Sequence, residues 1–297
     1  MARPLRLLSR STAGAVGLIL LLTACTAGGE RATAPTASAS SSPPQVRFHA
    51  SLVQQRTDEG TNRIDVRLTN QGKALVRVEK VHITWSGITG SSTSGTGTDY
   101  EPGRIIDIKT DFGTTVCRSE PSGEVRVEVE LGSGSTVTLP IDRSGSELLR
   151  RLYDRDCALK AIAAIAEIKL SPTFTRAPGK VDRLVGSVDV TRTAESQRGD
   201  RRDLAVVEVA GSILFDLAYD GDANLPLRLR PDDDYLRIPV ALSVGNRCDA
   251  HALAESRATF LFSAYVRVED HATQRVIVTP NSTVRRQASA MITRVCD

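Results

Sequence analysis

The stretch "EVRVEVELGSGSTVTLPI", Glu124 to Ile141, decides the fold. Val125, Val127, Val129 and Leu131 alternate with charged residues, so an extended chain here has one apolar face and one wetted face. Gly132-Ser133-Gly134-Ser135 turns the chain, and a second run, Thr136 to Ile141, leads away. Side chains repeat every two residues in a strand and every 3.6 in a helix, so this spacing predicts two half-buried antiparallel strands.

The same pattern extends outward in both directions. "RIDVRLTN" (Arg63 to Asn70) alternates, Gln71-Gly72 turns, and "ALVRVEKVHITW" (Ala74 to Trp85) follows. "RIIDIKTDFGTTVC" runs from Arg104 to Cys117. After Ile141 a short helix is expected, capped by Ser146, with Leu148, Leu149 and Leu152 facing inward and Cys157 closing it. The second half repeats this order. "RIPVALSVGNRC" ends at Cys248, the strands "ATFLFSAYVRVED" (Ala258 to Asp270) and "QRVIVTP" (Gln274 to Pro280) follow, and a helix ends at Cys296. Asn281 or Ser282 is placed to cap that helix, and Val284, Ala288, Met291, Ile292 and Val295 share one face. "ALKAIAAIAEIKL" (Ala158 to Leu170) is ambiguous by period, and its later part reads as the first strand of the second half.

Strand, cysteine, strand, strand, helix, cysteine thus occurs twice, with cysteine separations of 40 and 48 residues. The expected class is mainly β: two tandem β-sandwich domains from an internal duplication, 46–159 and 160–297, each with a short disulfide-linked helix. Asn70 and the strands flanking it, "VRLTNQGKALVRVEKVHI", resemble bacterial immunoglobulin-like surface domains. The immunoglobulin order of cysteine, tryptophan, cysteine is not met, because Trp85 precedes both cysteines of its half.

The N-terminus supplies an address. Arg3, Arg6 and Arg10 precede an apolar run, Ala13 to Leu22, about half the length of a bilayer span. Leu22-Thr23-Ala24-Cys25 ends it and resembles the lipobox of bacterial lipoproteins. That resemblance implies a signal peptide over 1–24, a diacylglyceryl (palmitate-bearing) thioether on Cys25, and a place on the extracytoplasmic face of the cell membrane. Two acyl chains hold a protein stably where one does so only marginally. Residues 25–45 then read as a disordered tether, "TAGGERATAPTASASSSPPQ" after the cysteine, too small and polar to bury a core. Its reach is about 25 Å as a coil and up to roughly 60 Å extended.

With Cys25 taken by lipid, four cysteines remain in an oxidising compartment. The repeated order selects Cys117–Cys157 and Cys248–Cys296 among three pairings. A four-cysteine zinc site is the competing reading, and the close C-x₂-C pairs such sites use are absent from the sequence.

Charge excludes one class. The formal +3 loses Arg3, Arg6 and Arg10 with the signal, which leaves a neutral chain in which arginines and acids interleave. Nucleic-acid binding needs clustered, unopposed cations. Catalytic motifs are missing too: there is no G-x-S-x-G, no Walker loop and no G-x-G-x-x-G after a strand. His49 and His82 read as structural, and "SGITGSSTSGTGTDY" (Ser86 to Tyr100) as a flexible loop. "DGDAN" (Asp220 to Asn224) begins like a calcium loop but lacks the later glycine and glutamate, so Asp220-Gly221 reads as a hairpin turn. Asp232, Asp233 and Asp234 stand as a minor calcium alternative. Arg198-Gly199-Asp200 matches an adhesive tripeptide in a charged loop, where it arises easily by chance.

"CDAHALAE" (Cys248 to Glu255) is the best candidate site. His251 and Glu255 share a helical face and Asp249 can join them, as a divalent-metal or polar-ligand site or as a capped, solvated turn. The leading expectation is a non-enzymatic, lipid-anchored module that binds or braces another envelope protein, without cofactor. The alternatives are a metal- or small-ligand-binding lipoprotein and a cryptic envelope hydrolase.

Overall fold

Alternating runs become strands where both faces find a use. In the first half, eight do so: β1 (Phe48–Val53), β2 (Arg63–Asn70), β3 (Val76–Thr84), β4 (Ser92–Thr93), β5 (Thr98–Tyr100), β6 (Ile105–Asp111), β7 (Arg126–Leu131) and β8 (Thr136–Pro140). The computed structural model describes residues 46–93, 97–179, 181–245 and 259–296, and Pro44–Asp297 form one compact unit. The signal segment, Cys25, the tether, Cys248 and the Asp249, His251, Glu255 group lie outside the described residues.

One sheet has the order β1-β2-β6-β4 and the other β8-β7-β3-β5, all antiparallel. Ile64, Val66 and Leu68 of the first sheet and Val81, Val127 and Val129 of the second are fully buried in a shared core. The opening stretch is the β7–β8 hairpin, with Val129 opposite Val137. Gly134 sits in its turn at φ +82°, a backbone region that side chains other than glycine's disfavour.

The second half holds β9 (Ala166–Leu170), β10 (Arg183–Arg192), β11 (Leu204–Ala210), β12 (Phe215–Tyr219), β13 (Leu227–Leu229), β14 (Tyr235–Val244), β15 (Phe262–Val268) and β16 (Gln274–Val278). Its sheets run β9-β10-β14-β12 and β16-β15-β11-β13. Each of these eight strands therefore occupies the place of the strand eight earlier in the first; a further two-residue strand, Thr175–Arg176, pairs with β10 and has no counterpart beside β2 among the described residues. The irregularities agree as well. The β3–β7 register shifts between Val78 and Lys80, and the β11–β15 register shifts between Val206 and Glu208.

Helices close both halves. α1 (Arg143–Ile165) follows β8 and α3 (Ser282–Cys296) follows β16; α2 (Ala194–Arg198) is one short turn between β10 and β11. Asp142, not Ser146, caps α1, its carboxylate accepting the Gly145 N–H at 2.8 Å. Asn281 caps α3 through the Val284 N–H at 2.9 Å. Cys157 follows Asp142 by fifteen positions and Cys296 follows Asn281 by the same fifteen.

α1 is 23 residues long rather than short. It passes through Leu159 without a break, and the strand of the ambiguous segment begins only at Ala166. Ile162 and Ile165 explain the extension, because both are buried in the core of the second half. On α3, Val284, Ala288 and Met291 are fully buried and Ile292 partly, but Val295 near the helix end is 46% exposed. The Ser86–Tyr100 segment is not a plain loop. It carries β4, β5 and a two-residue ladder of Ile88–Thr89 with Thr114–Thr115. Asp220-Gly221 is not a hairpin turn either: β12 pairs with β14 and β13 with β11, so the chain crosses there from one sheet to the other.

Candidate functional site

Polar side chains are informative where burial forces them to find partners. Asn70 ends β2 and is fully buried. Its amide donates to the carbonyls of Ala74 (2.8 Å) and Tyr100 (2.9 Å), and its oxygen accepts the Gly72 N–H (2.9 Å). It therefore holds the turn before β3 to the end of β5. Arg192 ends β10, the equivalent strand, and is 3% exposed. Its guanidinium donates to the carbonyls of Asp233 (2.7 Å), Arg230 (2.8 Å) and Arg202 (3.1 Å), and to the Ser196 hydroxyl (3.1 Å). It clamps the corresponding loop before β11 to the end of β13. Burial lowers its pKa, with Arg201 adding to that effect and nearby aspartates opposing it. Sequence reading missed this residue, and no local signal marks it, because its partners come from three separate segments.

The described histidines do not assemble a hydrolytic relay. Ser51 donates its hydroxyl to Asp142 Oδ1 at 2.9 Å, and His49 Nε2 lies 3.7 Å from Asp142 Oδ2. In a triad the imidazole stands between hydroxyl and carboxylate; here the carboxylate stands between the other two. Burial pushes the Asp142 carboxyl up, but the Gly145 N–H, the hydroxyls of Ser51 and Ser144, and His49 together bring it below the ordinary range. This is a helix cap with supports. His82 Nδ1 is 3.1 Å from the Ser91 carbonyl, and His271 is exposed beside Asp203, Glu269 and Asp270.

Four of the other sequence candidates are engaged by neighbours. Asp220 pairs with Arg183 at 3.5 Å, Asp233 accepts the Arg230 N–H at 3.0 Å, and Asp234 pairs with Arg201 at 2.9 Å. Asp200 of the Arg-Gly-Asp triplet is bound side-on by Arg202, with contacts of 2.6 and 2.9 Å. Among the described residues, no three His, Cys, Asp or Glu side chains are grouped to hold a metal ion.

Cys117 and Cys157 form a disulfide with Cα atoms 5.5 Å apart, tying the β6–β7 connection to α1. Tyr153, one helical turn earlier, donates to the carbonyls of Val116 and Ser119 and meets Trp85 edge-on at 5.5 Å. Cys296 is also disulfide-bonded, and its partner lies outside the described residues.

Two of the concave surfaces among the described residues bear on binding. One, about 740 Å³, lies between the halves, with Gln54 and Asn62 on the first and Leu159, Ile168, Arg275 and Ile277 on the other side. β9 and β16, which supply Ile168 and Ile277, are both edge strands of their sheets. The other, about 720 Å³, is a groove at the opposite end of the first half, where Val46 enters.

No family model matches this chain, and no curated protein matches it. Among solved structures it is similar to the YadV chaperone (11% identity, 79% of this chain and 98% of that one, TM-score 0.22). It is also similar to the D0–D1 domain of intimin (15%, 78% and 95%, TM-score 0.19) and to the BSP domain of a biofilm-associated protein (10%, 80% and 58%, TM-score 0.22). At such TM-scores these likenesses carry no argument. Among the described residues, no helix is long and apolar enough to cross a membrane.

Proposed function

We propose that this protein is a lipid-anchored, extracytoplasmic binding or structural module that works without catalysis and engages another envelope protein. The observation that carries the non-catalytic reading is the fate of its polar side chains. Asp142, Asn70, Arg192 and Asp200 are each engaged in holding backbone or a neighbouring charge, while the open concave surfaces are apolar-floored and edged by strands. Such edges accept an extended segment of a partner through main-chain hydrogen bonds, with side-chain pockets giving selectivity. We place that contact at the cleft between the halves, where Ile277 is 43% exposed on the edge strand β16.

The anchor reading rests on Leu22 to Cys25 and the basic, apolar segment before it. The two halves are read as immunoglobulin-like sandwiches that arose by duplication, supported by their shared strand order, matched register shifts and equal cap-to-cysteine spacing. The duplication assigns Cys248 as the partner of Cys296.

A photo-activated cross-linker at Ile277, compared with one at the equally exposed Ile213, tests the contact in intact cells. Ile277 is expected to trap one defined envelope protein and Ile213 none. Equal or absent labelling at both positions refutes the assignment. Mass spectrometry of the membrane-extracted protein tests the anchor: the chain is expected to begin at a diacylglyceryl Cys25, and a free thiol there removes it.

A further inference from the structure

The two halves share a frame but not a covering. In the second half, the end that bears the clamp is closed from outside. Thr193 donates its N–H to the Ile165 carbonyl at 3.1 Å and its hydroxyl to the Ala164 carbonyl at 2.5 Å, and α1 brings Ile162 and Ile165 into that core. In the first half the corresponding bond runs from the Gln71 N–H to the Arg47 carbonyl at 2.8 Å. Among the described residues, the place that α1 fills in one half is filled in the other by Val46 and Arg47 alone, and the groove lies open there.

Two large apolar side chains stand free at this end: Leu75 is 60% exposed and Ile105 is 58% exposed. Both belong to one rim, since Ile105 pairs with Thr69 in the β2–β6 ladder and Leu75 lies between Asn70 and β3. Arg47, Lys73 and Arg104 lie on the segments that meet at Asn70 and Gln71, all exposed, and none forms an ion pair with a described residue. Arg47 and Arg104 are fixed beside Asn70-Gln71 by backbone bonds of 2.8 and 3.0 Å. Arg77, also at the groove, is neutralised by Glu79 and Asp99, and Glu101 is the one exposed acid on this rim's β5–β6 turn.

The segment that leads into the groove is poor in apolar side chains. The 20 residues before Val46 contain alanine as their only hydrophobic type. They also lead toward Cys25, within a tether's reach of any bilayer that residue enters. Exposed apolar side chains beside cations that pair with no described residue suit an anionic membrane surface, which takes the former among acyl chains and the latter among headgroups. We infer that this end of the first half docks on the anionic lipid surface from which the chain is tethered, with Leu75 and Ile105 inserted and Arg47, Lys73 and Arg104 against headgroup phosphates. The second half and the inter-half cleft then face away from the membrane.

The inference rests on the anchored reading for its setting, but its test does not use the anchor. The unlipidated fragment of residues 44–297, the compact unit of the fold, is sedimented with vesicles of phosphatidylcholine alone or mixed equally with phosphatidylglycerol. Binding is expected only with phosphatidylglycerol, weakening as salt rises. Each of Arg47→Ala, Lys73→Ala and Arg104→Ala is expected to weaken it about fivefold, and the triple variant on the order of a hundredfold. Leu75→Ser is expected to cost about tenfold. All four positions are exposed, and unchanged circular dichroism confirms that the variants fold. No binding, binding indifferent to phosphatidylglycerol, or a fragment that dimerises through Leu75 in solution overturns the inference, whatever mass spectrometry finds on Cys25.

Discussion

Arg192→Met offers the sharpest test of how the second half is held together. The arginine is 3% exposed and its five strongest donor contacts reach Asp233, Arg230, Arg202 and Ser196 at 2.7 to 3.1 Å and the more distant Arg201 at 3.4 Å. Methionine fills similar volume but donates nothing, so several part-buried carbonyls lose their partner together. Leaving a buried polar group unsatisfied costs about 1–3 kcal/mol, and breaking a buried charged network about 3–5 kcal/mol. Part of the loss is recovered because a charge no longer has to be desolvated, so a net destabilisation of about 3–5 kcal/mol is expected. At roughly 2–4 °C per kcal/mol for a unit of this size, the melting temperature falls by roughly 6–20 °C. The assay is thermal unfolding of residues 44–297 followed by two probes. Trp85 is the single tryptophan and lies in the first half, so its fluorescence reports that half, while far-ultraviolet circular dichroism reports both. The dichroism transition is expected to move down more than the Trp85 transition. Arg192→Lys is expected to rescue little, since one ammonium does not span carbonyls on three segments. A shift below about 2 °C for Arg192→Met, within the range of an ordinary surface change, refutes the clamp.

Other outcomes follow from the same contacts. Cys157→Ser opens a bond that closes a 40-residue separation and is expected to destabilise the first half by about 4 kcal/mol, read by the Trp85 transition in denaturant. Asp142→Ala removes the α1 cap and is expected to cost about 1 kcal/mol. Asp142→Asn keeps a capping oxygen but removes the charge. Because the folded carboxyl is held below its ordinary 3.8, its contribution is complete above that pH and is lost as pH falls through the folded value. The stability gap between wild type and Asp142→Asn in urea is therefore expected to close on going from pH 7 toward pH 2, and a constant gap contradicts the assignment. Peptide mapping without reduction is expected to join Cys296 to Cys248; a Cys25–Cys296 link overturns both the duplication pairing and the anchor.

Strands were legible because burial on one face leaves a mark every second residue. Ile64, Val66 and Leu68 are buried to the last side chain, as are Val127 and Val129, and the β2 boundaries fall at Arg63 and Asn70 as the alternation places them. The helix start was misread because Asp142 and Ser146 are both plausible caps, and only the packing of Gly145 against the Leu52 backbone selects the earlier one. The helix end was misread for a different reason. The helix as a whole serves two cores in turn: Leu149 and Leu152 face the first half and Ile162 and Ile165, in "ALKAIAAI", the second, so no single amphipathic stripe runs its length. The Asp220-Gly221 error came from taking a local turn signal as evidence of pairing, when partner strands are chosen by the sheet rather than by the turn. Of the candidate site, Cys117 and Cys157 meet as the repeat order suggested, while the groove and the Arg192 clamp had no signature in the sequence.

Asn70 and Arg192 explain why the repeat was visible in element order and nearly invisible in residue identity. Both end the second strand of their half. Both reach the loop before the third strand and the end of the fifth, and their own N–H groups bond the residue before the sixth, Arg104 at 3.0 Å and Asp234 at 2.9 Å. The frame demands a buried donor at that corner, but loop length sets which one. Five residues separate β2 from β3, and a short amide suffices; eleven separate β10 from β11, including α2, and only a long guanidinium reaches across. The longer loop also supplies Thr193 and α2, on which the end of α1 rests. The closed end of the second half and the open end of the first are therefore two results of one difference in loop length. The open end leaves Leu75 and Ile105 in contact with water, and these are the side chains that the docking inference inserts into lipid. That difference, rather than the shared frame, is what the membrane-docking inference for the first half rests on.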